Sequence, residues 1–365
     1  MHDEQRARAH DRLRAHGIER ALFAHPASVT WLTGFAAPIQ TGPSPFAGGP
    51  PLVWYEDGQF TLIVMAGLDS AALPLITYEG YSVETPLAGA QHLAAIVRDR
   101  VAKSRAGKLG IETQHLPAFL APEQAVAIDG LLDPLRMVKS AEEIEILRRC
   151  FALTDLAHVA ARAATQAGQR EIDVWTAIKS TVEQAAGQRA PLGNDCVAST
   201  RENNIGGWPG DIELRRGDSL MVDLSVRLDG YWSDSCAVYY TSEPSKRQTA
   251  LHRIALQALE LGVSLVKPGA LAGEIDRRLR QFISDAGYPI YPHHSGHGIG
   301  VLTHEEPRIT PYNDMALEAG MVIMLEPGIY FPKEVAVRLE DALLVTSSGA
   351  EILTQHDKEL PDRKG

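Results

Sequence analysis

The C-terminal part of the chain repeats one order of elements, two helices followed by a run of strands. A capping-box pattern, Ser140-Ala-Glu-Glu143, precedes a predicted helix that runs to about Gly168, and a second helix covers about 171–186. After a set of strands that includes a predicted hairpin around Leu228-Asp229-Gly230, further helices are predicted near 245–266 and 271–286, and strands then follow again. The pattern predicts an internal structural duplication at low sequence identity, with the seam between the halves as a common place for chemistry.

The segment before this repeat has a different pattern. Residues 3–16 are predicted to form an amphipathic helix, and residues 18–134 alternate short apolar runs with helical ones, which is typical of an α/β domain. Pro134 to Lys139 is interpreted as a linker. We therefore predict two domains, 1–135 and 136–365.

Composition limits the partners and the compartment. The net charge of −11 argues weakly against nucleic acid or an anionic membrane as a partner. The cysteines Cys150, Cys196 and Cys236 give no disulfide framework and fit a reducing cytoplasm. The polar N-terminus is unlike a signal peptide, and no apolar run approaches the roughly 18 residues that span a bilayer. A cytoplasmic protein without a membrane partner is expected.

Four carboxylates and one imidazole lie in or beside short apolar strand-like runs of the C-terminal domain. A carboxylate in such a place is costly unless a positive charge neutralises it. Two divalent cations would supply four positive charges against the four negative ones. The spacing therefore indicates a two-metal hydrolase whose ligands are Asp223, Asp234, His297, Glu326 and Glu340.

The stretches around these residues resemble one known family. "MVDLSVRLDGYWSD", "GHGIGVLTHEEPRI", "MVIMLEPGIY" and "VRLED" occur in order, and "SVTWLTGF" and "LRMVKSAEEIEILRR" precede them. Together they resemble the pita-bread (M24) metallopeptidases, in the branch of Xaa-Pro aminopeptidases and Xaa-Pro dipeptidases (prolidases). The resemblance implies an α+β fold: a C-terminal pita-bread domain with a pseudo-twofold internal repeat, and an N-terminal α/β creatinase-like domain.

The same resemblance implies roles for the five residues. Asp223 resembles a ligand of one metal, Asp234 and Glu340 resemble bridging ligands, and His297 and Glu326 resemble ligands of the other metal. A carboxylate-rich site with one imidazole suits Mn²⁺, Co²⁺ or Zn²⁺. Water between two such ions becomes a hydroxide nucleophile near neutral pH, and Glu326 would take its proton.

Further side chains are expected to line the substrate cleft. By resemblance, His304 binds the carbonyl or the oxyanion, and His293 contacts substrate or shuttles protons, whereas His294 is interpreted as structural. Arg308 and Arg338 are candidate anion holders, with an ordinary structural ion pair as the alternative for each.

One position departs from the family pattern. The family usually carries a cleft histidine seventeen residues before the first metal aspartate, and that spacing falls on Gly206 within the loop 203–210. No histidine lies between His158 and His252, so this imidazole is absent. Trp208 is predicted to shape the pocket instead, and a simple glycine-rich turn is the alternative.

The predicted function is metal-dependent hydrolysis of Xaa-Pro bonds, in dipeptides or at peptide N-termini. A metal-free creatinase-like C–N hydrolase and a non-catalytic peptide-binding protein on the same fold are the alternatives. A methionine aminopeptidase fits less well, because those enzymes typically lack the N-terminal domain of about 135 residues. By analogy with the family, a homodimer is expected.

Overall fold

The computed structural model describes residues 2–37, 48–68, 73–80, 82–84, 89–105, 107–193 and 195–360. The chain divides into two compact units, Met1–Arg136 and Met137–Gly365. Among the described residues, no helix combines the length and the apolar character needed to cross a bilayer.

The N-terminal unit is built on a mixed six-stranded sheet. In chain order its elements are α1 (Asp3–Ala15), β1 (Arg20–Phe23), α2 (Pro26–Thr33), β2 (Leu52–Glu56), β3 (Gln59–Met65), β4 (Leu75–Tyr78), α3 (Gly89–Lys103), β5 (Leu109–Ile111), a 3₁₀ turn (Ala118–Leu120), β6 (Ala125–Ala127) and α4 (Asp133–Met137). The strand order is β4-β3-β2-β1-β5-β6. β1 runs antiparallel to β2 and parallel to β5. Helices alternating with a partly parallel sheet are what the sequence predicted for this region.

The C-terminal unit follows the order of two helices and then strands, twice. Its first half contains α5 (Ala141–Ala164), α6 (Glu171–Ala186), β7 (Leu192–Gly193), β8 (Cys196–Ala198), β9 (Ser219–Leu228), β10 (Tyr231–Trp232) and β11 (Ser235–Tyr240). Its second half contains α7 (Lys246–Leu265), α8 (Ala272–Asp285), β12 (Gly296–Gly298), β13 (Glu305–Ile309), β14 (Val322–Leu325), β15 (Gly328–Phe331), β16 (Val335–Arg338), β17 (Asp341–Val345) and β18 (Ala350–Ile352).

The long strand β9 organises the first half. β7, β8, β10 and β11 all pair with it in antiparallel fashion. The turn between β9 and β10 is the predicted Asp-Gly turn, because Asp229 and Gly230 have φ of 49° and 86°. Positive φ at both central residues is the type I′ condition, which matches the twist of a hairpin. The turn directs the chain back so that β11 can pair with β9.

The second half is arranged around β12, in a sheet of order β13-β12-β14-β17-β18. Its glycines allow close packing, because a Cβ on Gly296 would lie 1.9 Å from the carbonyl oxygen of Met324, and one on Gly298 would lie 2.2 Å from that of Glu306. Any larger residue would push the neighbouring backbones away. The glycines therefore hold His297 between two closely packed strands.

The capping box at the start of α5 is present as predicted. The Ser140 hydroxyl accepts a hydrogen bond from the Glu143 backbone N–H, and the Glu143 carboxylate accepts one from the Ser140 backbone N–H. We expect Ser140→Ala to lower the free energy of unfolding by about 1 kcal/mol, since a buried helix N-terminus loses its cap. Urea unfolding measures this, with the exposed Ser347→Ala as control. A loss no larger than that of the control would show that the cap contributes nothing.

Candidate metal centre

Strand pairing in the first half brings Asp223 and Asp234 to one face of the sheet. Asp223 lies in β9 opposite Cys236 of β11. Asp234 directly precedes β11, and its Oδ1 accepts a hydrogen bond of 3.1 Å from the Ser225 hydroxyl, two residues along β9 from Asp223. Residues i and i+2 of a strand share a face. Both carboxylates are therefore directed to the same side, although eleven residues separate them.

The second half supplies the other three side chains. β14 ends one residue before Glu326, and β17 begins one residue after Glu340, with Leu325 paired to Asp341. Glu326 therefore follows one member of this directly opposed pair, and Glu340 precedes the other. His297 lies opposite Met324, two residues before Glu326, which places the imidazole on the face of Glu326. The Glu340 backbone N–H donates to the Cys236 carbonyl over 3.0 Å and joins the two halves.

The five side chains converge. His297 Nε2 lies 3.8 Å from Asp234 Oδ2 and 3.8 Å from Glu326 Oε1. Ligand atoms of Asp234, His297 and Glu340 all lie within 4.8 Å of one another. His297 Nδ1 lies 2.9 Å from the Gly298 carbonyl and donates to it, so Nε2 carries a lone pair toward the carboxylates. This orientation of a neutral imidazole is the one a metal ligand requires.

The buried carboxylates of the cluster carry negative charge that the nearby side chains do not balance. Burial, with the charges of Asp223 and Glu326, raises the pKa of Asp234 well above its usual range. Burial, with the charges of Asp234 and Asp223, raises the pKa of Glu340 in the same direction. Glu340 is 1% exposed, and its Oε2 has no hydrogen-bond partner among the described residues. A buried acceptor without a donor, surrounded by like charges, fits a bound cation.

Arg338 is the cation that the protein itself places in the cluster. Its side chain is buried, and its Nη2 donates to Asp223 Oδ2 and, over 3.1 Å, to Asp195 Oδ2. Its Nη1 donates to the Ile205 carbonyl over 2.7 Å, and to the Tyr330 hydroxyl over 3.2 Å. These partners favour the structural alternative for Arg338 over contact with substrate.

Three further histidines lie at the cluster. His304 stacks on it with ring centroids 3.9 Å apart, and its Nδ1 lies 3.2 Å from the Thr303 hydroxyl. His294 Nε2 lies 2.9 Å from Glu326 Oε1, so this residue, interpreted from sequence as structural, belongs to the cluster. His293 Nδ1 donates to the His294 carbonyl over 2.7 Å, and its Nε2 is 2.7 Å from the Tyr330 hydroxyl. Both ring nitrogens of His293 are therefore engaged by protein groups.

The other two predicted site residues are Arg308 and Trp208. Burial and the charge of Arg308 lower the pKa of His304. Trp208 is 87% exposed, and its indole is not packed against the cluster. Sequence reasoning missed Asp195, whose part in the cluster comes from pairing across the sheet and has no local signal.

Comparison with known proteins identifies the family. The model of metallopeptidase family M24 matches residues 145–347, and that of the creatinase/prolidase N-terminal domain matches residues 5–150. The chain is 33% identical over 270 residues to the putative dipeptidase YkvY of Bacillus subtilis, covering 74% of this chain and 72% of that protein. It is 35% identical over 234 residues to an Xaa-Pro dipeptidase of Pyrococcus furiosus, covering 64% and 67%.

A solved structure shows the same fold. The prolidase from Pyrococcus horikoshii superposes with a TM-score of 0.83 at 25% identity, covering 98% of this chain and 100% of that chain. The α+β class, with a creatinase-like N-terminal domain and a pita-bread C-terminal domain, is confirmed. The chain belongs to metallopeptidase family M24 and is a metal-dependent peptidase.

Proposed function

We propose that this protein hydrolyses Xaa-Pro peptide bonds, in dipeptides or at peptide N-termini, at a centre of two divalent metal ions. The observation that carries the proposal is the convergence of Asp234, His297 and Glu340, with ligand atoms within 4.8 Å of one another, beside Asp223 and Glu326. The dipeptidase and prolidase relatives support the choice of substrate.

The donor set fits divalent metal ions. Asp223, Asp234, His297, Glu326 and Glu340 would hold the ions, and four carboxylates with one imidazole suit Mn²⁺, Co²⁺ or Zn²⁺. Burial lowers the pKa of His297 to about 3, with a smaller effect from His304, so the imidazole is neutral at pH 7 and free to ligate. When bound, such ions act as Lewis acids that acidify water and polarise a carbonyl.

Side chains of the protein itself would transfer protons and stabilise the oxyanion. Glu326 is the proposed general base, because its carboxylate faces His297 and is hydrogen-bonded by His294. His304 is the proposed oxyanion donor, since stacking on His297 fixes its ring beside the cluster. The His294 carbonyl and the Tyr330 hydroxyl hold the His293 ring in place, and its contact with substrate or its role as a proton shuttle stays a prediction.

An Xaa-Pro bond lacks an amide hydrogen and has a fixed φ at proline. A peptidase that recognises the N–H after the scissile bond loses that contact, whereas a compact pocket can recognise the ring by shape. Arg338 donates to Asp223 and Asp195, so Arg308 is the proposed arginine to meet a substrate carboxylate. Pocket shaping by Trp208 stays a prediction. A homodimer in the cytoplasm also stays a prediction, which light scattering and cell fractionation test.

A peptide panel with and without chelator tests the proposal. We expect release of the first residue from Ala-Pro, from Ala-Pro-Ala or from both, no cleavage of Met-Ala-Ser, and loss of all activity on chelation. Rates on the first two peptides separate dipeptidase from aminopeptidase action. Cleavage of Met-Ala-Ser alone would indicate a methionine aminopeptidase, and turnover of a C–N substrate unaffected by chelator would indicate the creatinase-like alternative. Either result would contradict the proposal.

A further inference from the structure

Asp195 lies beside Asp223 through backbone pairing. The backbone N–H of each residue donates to the carbonyl of the other, and both distances are 2.9 Å. Two residues that exchange both hydrogen bonds are directly opposed, and their side chains leave the sheet on one face. The Asp195 carboxylate thus stands next to Asp223 at the edge of the five-residue cluster.

Two contacts fix the Asp195 side chain. Its Oδ1 accepts from the Gly207 backbone N–H over 2.8 Å, and its Oδ2 accepts from Arg338 Nη2 over 3.1 Å. The same Nη2 also donates to Asp223. One guanidinium nitrogen is therefore shared between a carboxylate of the predicted ligand set and a carboxylate outside it.

These contacts enclose Gly206. The preceding carbonyl, of Ile205, accepts from Arg338 Nη1 over 2.7 Å, and the following N–H, of Gly207, donates to Asp195. A Cβ on Gly206 would lie 2.5 Å from Asp195 Oδ2. Gly206 is not among the glycines with positive φ, so the obstacle to a side chain here is the Asp195 carboxylate and not the backbone. The glycine at the position of the absent histidine and the aspartate at 195 depend on each other.

We propose that Asp195 is a positioning residue of the metal centre, which holds Arg338 so that it does not take Asp223 fully from the metal. The inference rests on the proposed function. Without Asp195, Arg338 Nη2 would no longer be shared, and it would donate to Asp223 alone and compete with a metal ion for its Oδ2, while Nη1 stays with Ile205 and Tyr330. The charge balance also supports this role. The negative charge of Asp195 offsets the positive charge of Arg338, so the four negative charges of the ligand carboxylates match two divalent ions.

Titration of the metal-free full chain with Mn²⁺ by calorimetry tests this role. Asp195→Asn should weaken Mn²⁺ binding by about 10- to 100-fold, the range typical of groups that orient metal ligands. The control Asp211→Asn removes an equal charge from an exposed side chain and should bind Mn²⁺ as the wild type does. The melting temperature of the metal-free variant should stay near that of the wild type. Unchanged Mn²⁺ affinity in Asp195→Asn would overturn the inference.

A second variant tests the link to residue 206 and keeps the proposal falsifiable if Asp195→Asn does not fold. Gly206→Ala should displace the Asp195 carboxylate and weaken Mn²⁺ binding by about tenfold or more. In the Asp195→Ala background, where the clashing carboxylate is gone, the same change should have no further effect. Equal effects in both backgrounds would overturn the proposed dependence.

Metal binding by the wild type and by the variants distinguishes failure of the proposed function from failure of this inference. If the wild-type chain binds no Mn²⁺, Co²⁺ or Zn²⁺, the proposed function and this inference are both wrong. If the wild type binds metal and cleaves Ala-Pro, but Asp195→Asn and Gly206→Ala bind metal as tightly, only the inference is wrong.

Discussion

Replacing Glu340 by Gln should lower kcat on Ala-Pro by about 10³-fold or more. The change keeps the shape of the side chain but removes a charge from a buried group that is 1% exposed and has an unpartnered Oε2. Lewis-acid stabilisation by metal is worth several kcal/mol, and about 4 kcal/mol corresponds to roughly 10³ in rate. Proline release gives kcat, and elemental analysis of the same sample gives the metal content.

The control for this variant is Glu334→Gln, an exposed residue in an ion pair with Arg247. It should retain wild-type kcat and metal content. Glu340→Gln is directly comparable with it, because both changes remove one negative charge from a glutamate. Activity of Glu340→Gln within tenfold of the control would show that this carboxylate does not hold a catalytic ion.

Replacing His304 by Phe should lower kcat by about 10²- to 10³-fold, the cost of losing one oxyanion donor. The phenyl ring keeps the stacking on His297, where the centroids are 3.9 Å apart, but it has no nitrogen to donate. KM should change much less than kcat, because the lost hydrogen bond strengthens in the transition state. Metal content should stay at the wild-type value.

Steady-state kinetics on Ala-Pro measure this split, and His16→Phe, at an exposed position, controls for the substitution. A raised KM with unchanged kcat would assign His304 to ground-state binding only. Loss of metal from His304→Phe would instead make His304 a ligand, in keeping with its closeness to His294 and His297.

Local signals explain what could be predicted from the sequence. The capping box at Ser140 and the Asp229-Gly230 turn are set by residues within a few positions of each other, and both occur as expected. The order of two helices and then strands follows from hydrophobic periodicity in the same way. The five converging side chains were predicted from carboxylates that lie in or beside apolar strand-like runs, and their flanking stretches match a family pattern as an ordered set.

Long-range pairing explains what was missed. Asp195 gains its place only from pairing with Asp223, and nothing near it in the sequence marks that pairing. His294 was interpreted as structural, yet it reaches Glu326, because the chain before β12 passes the end of β14. The exposure of Trp208 likewise depends on the path of a loop that Asp195, Arg201 and Arg338 hold through its backbone.

The proposed function requires that four carboxylates and one imidazole hold two divalent ions. Calorimetric titration of the metal-free chain with Mn²⁺, with Ala-Pro hydrolysis followed at each addition, tests it most directly. We expect two ions to bind per chain and hydrolysis to appear as they bind. Full hydrolysis by a chain that elemental analysis shows to contain no transition metal would contradict it.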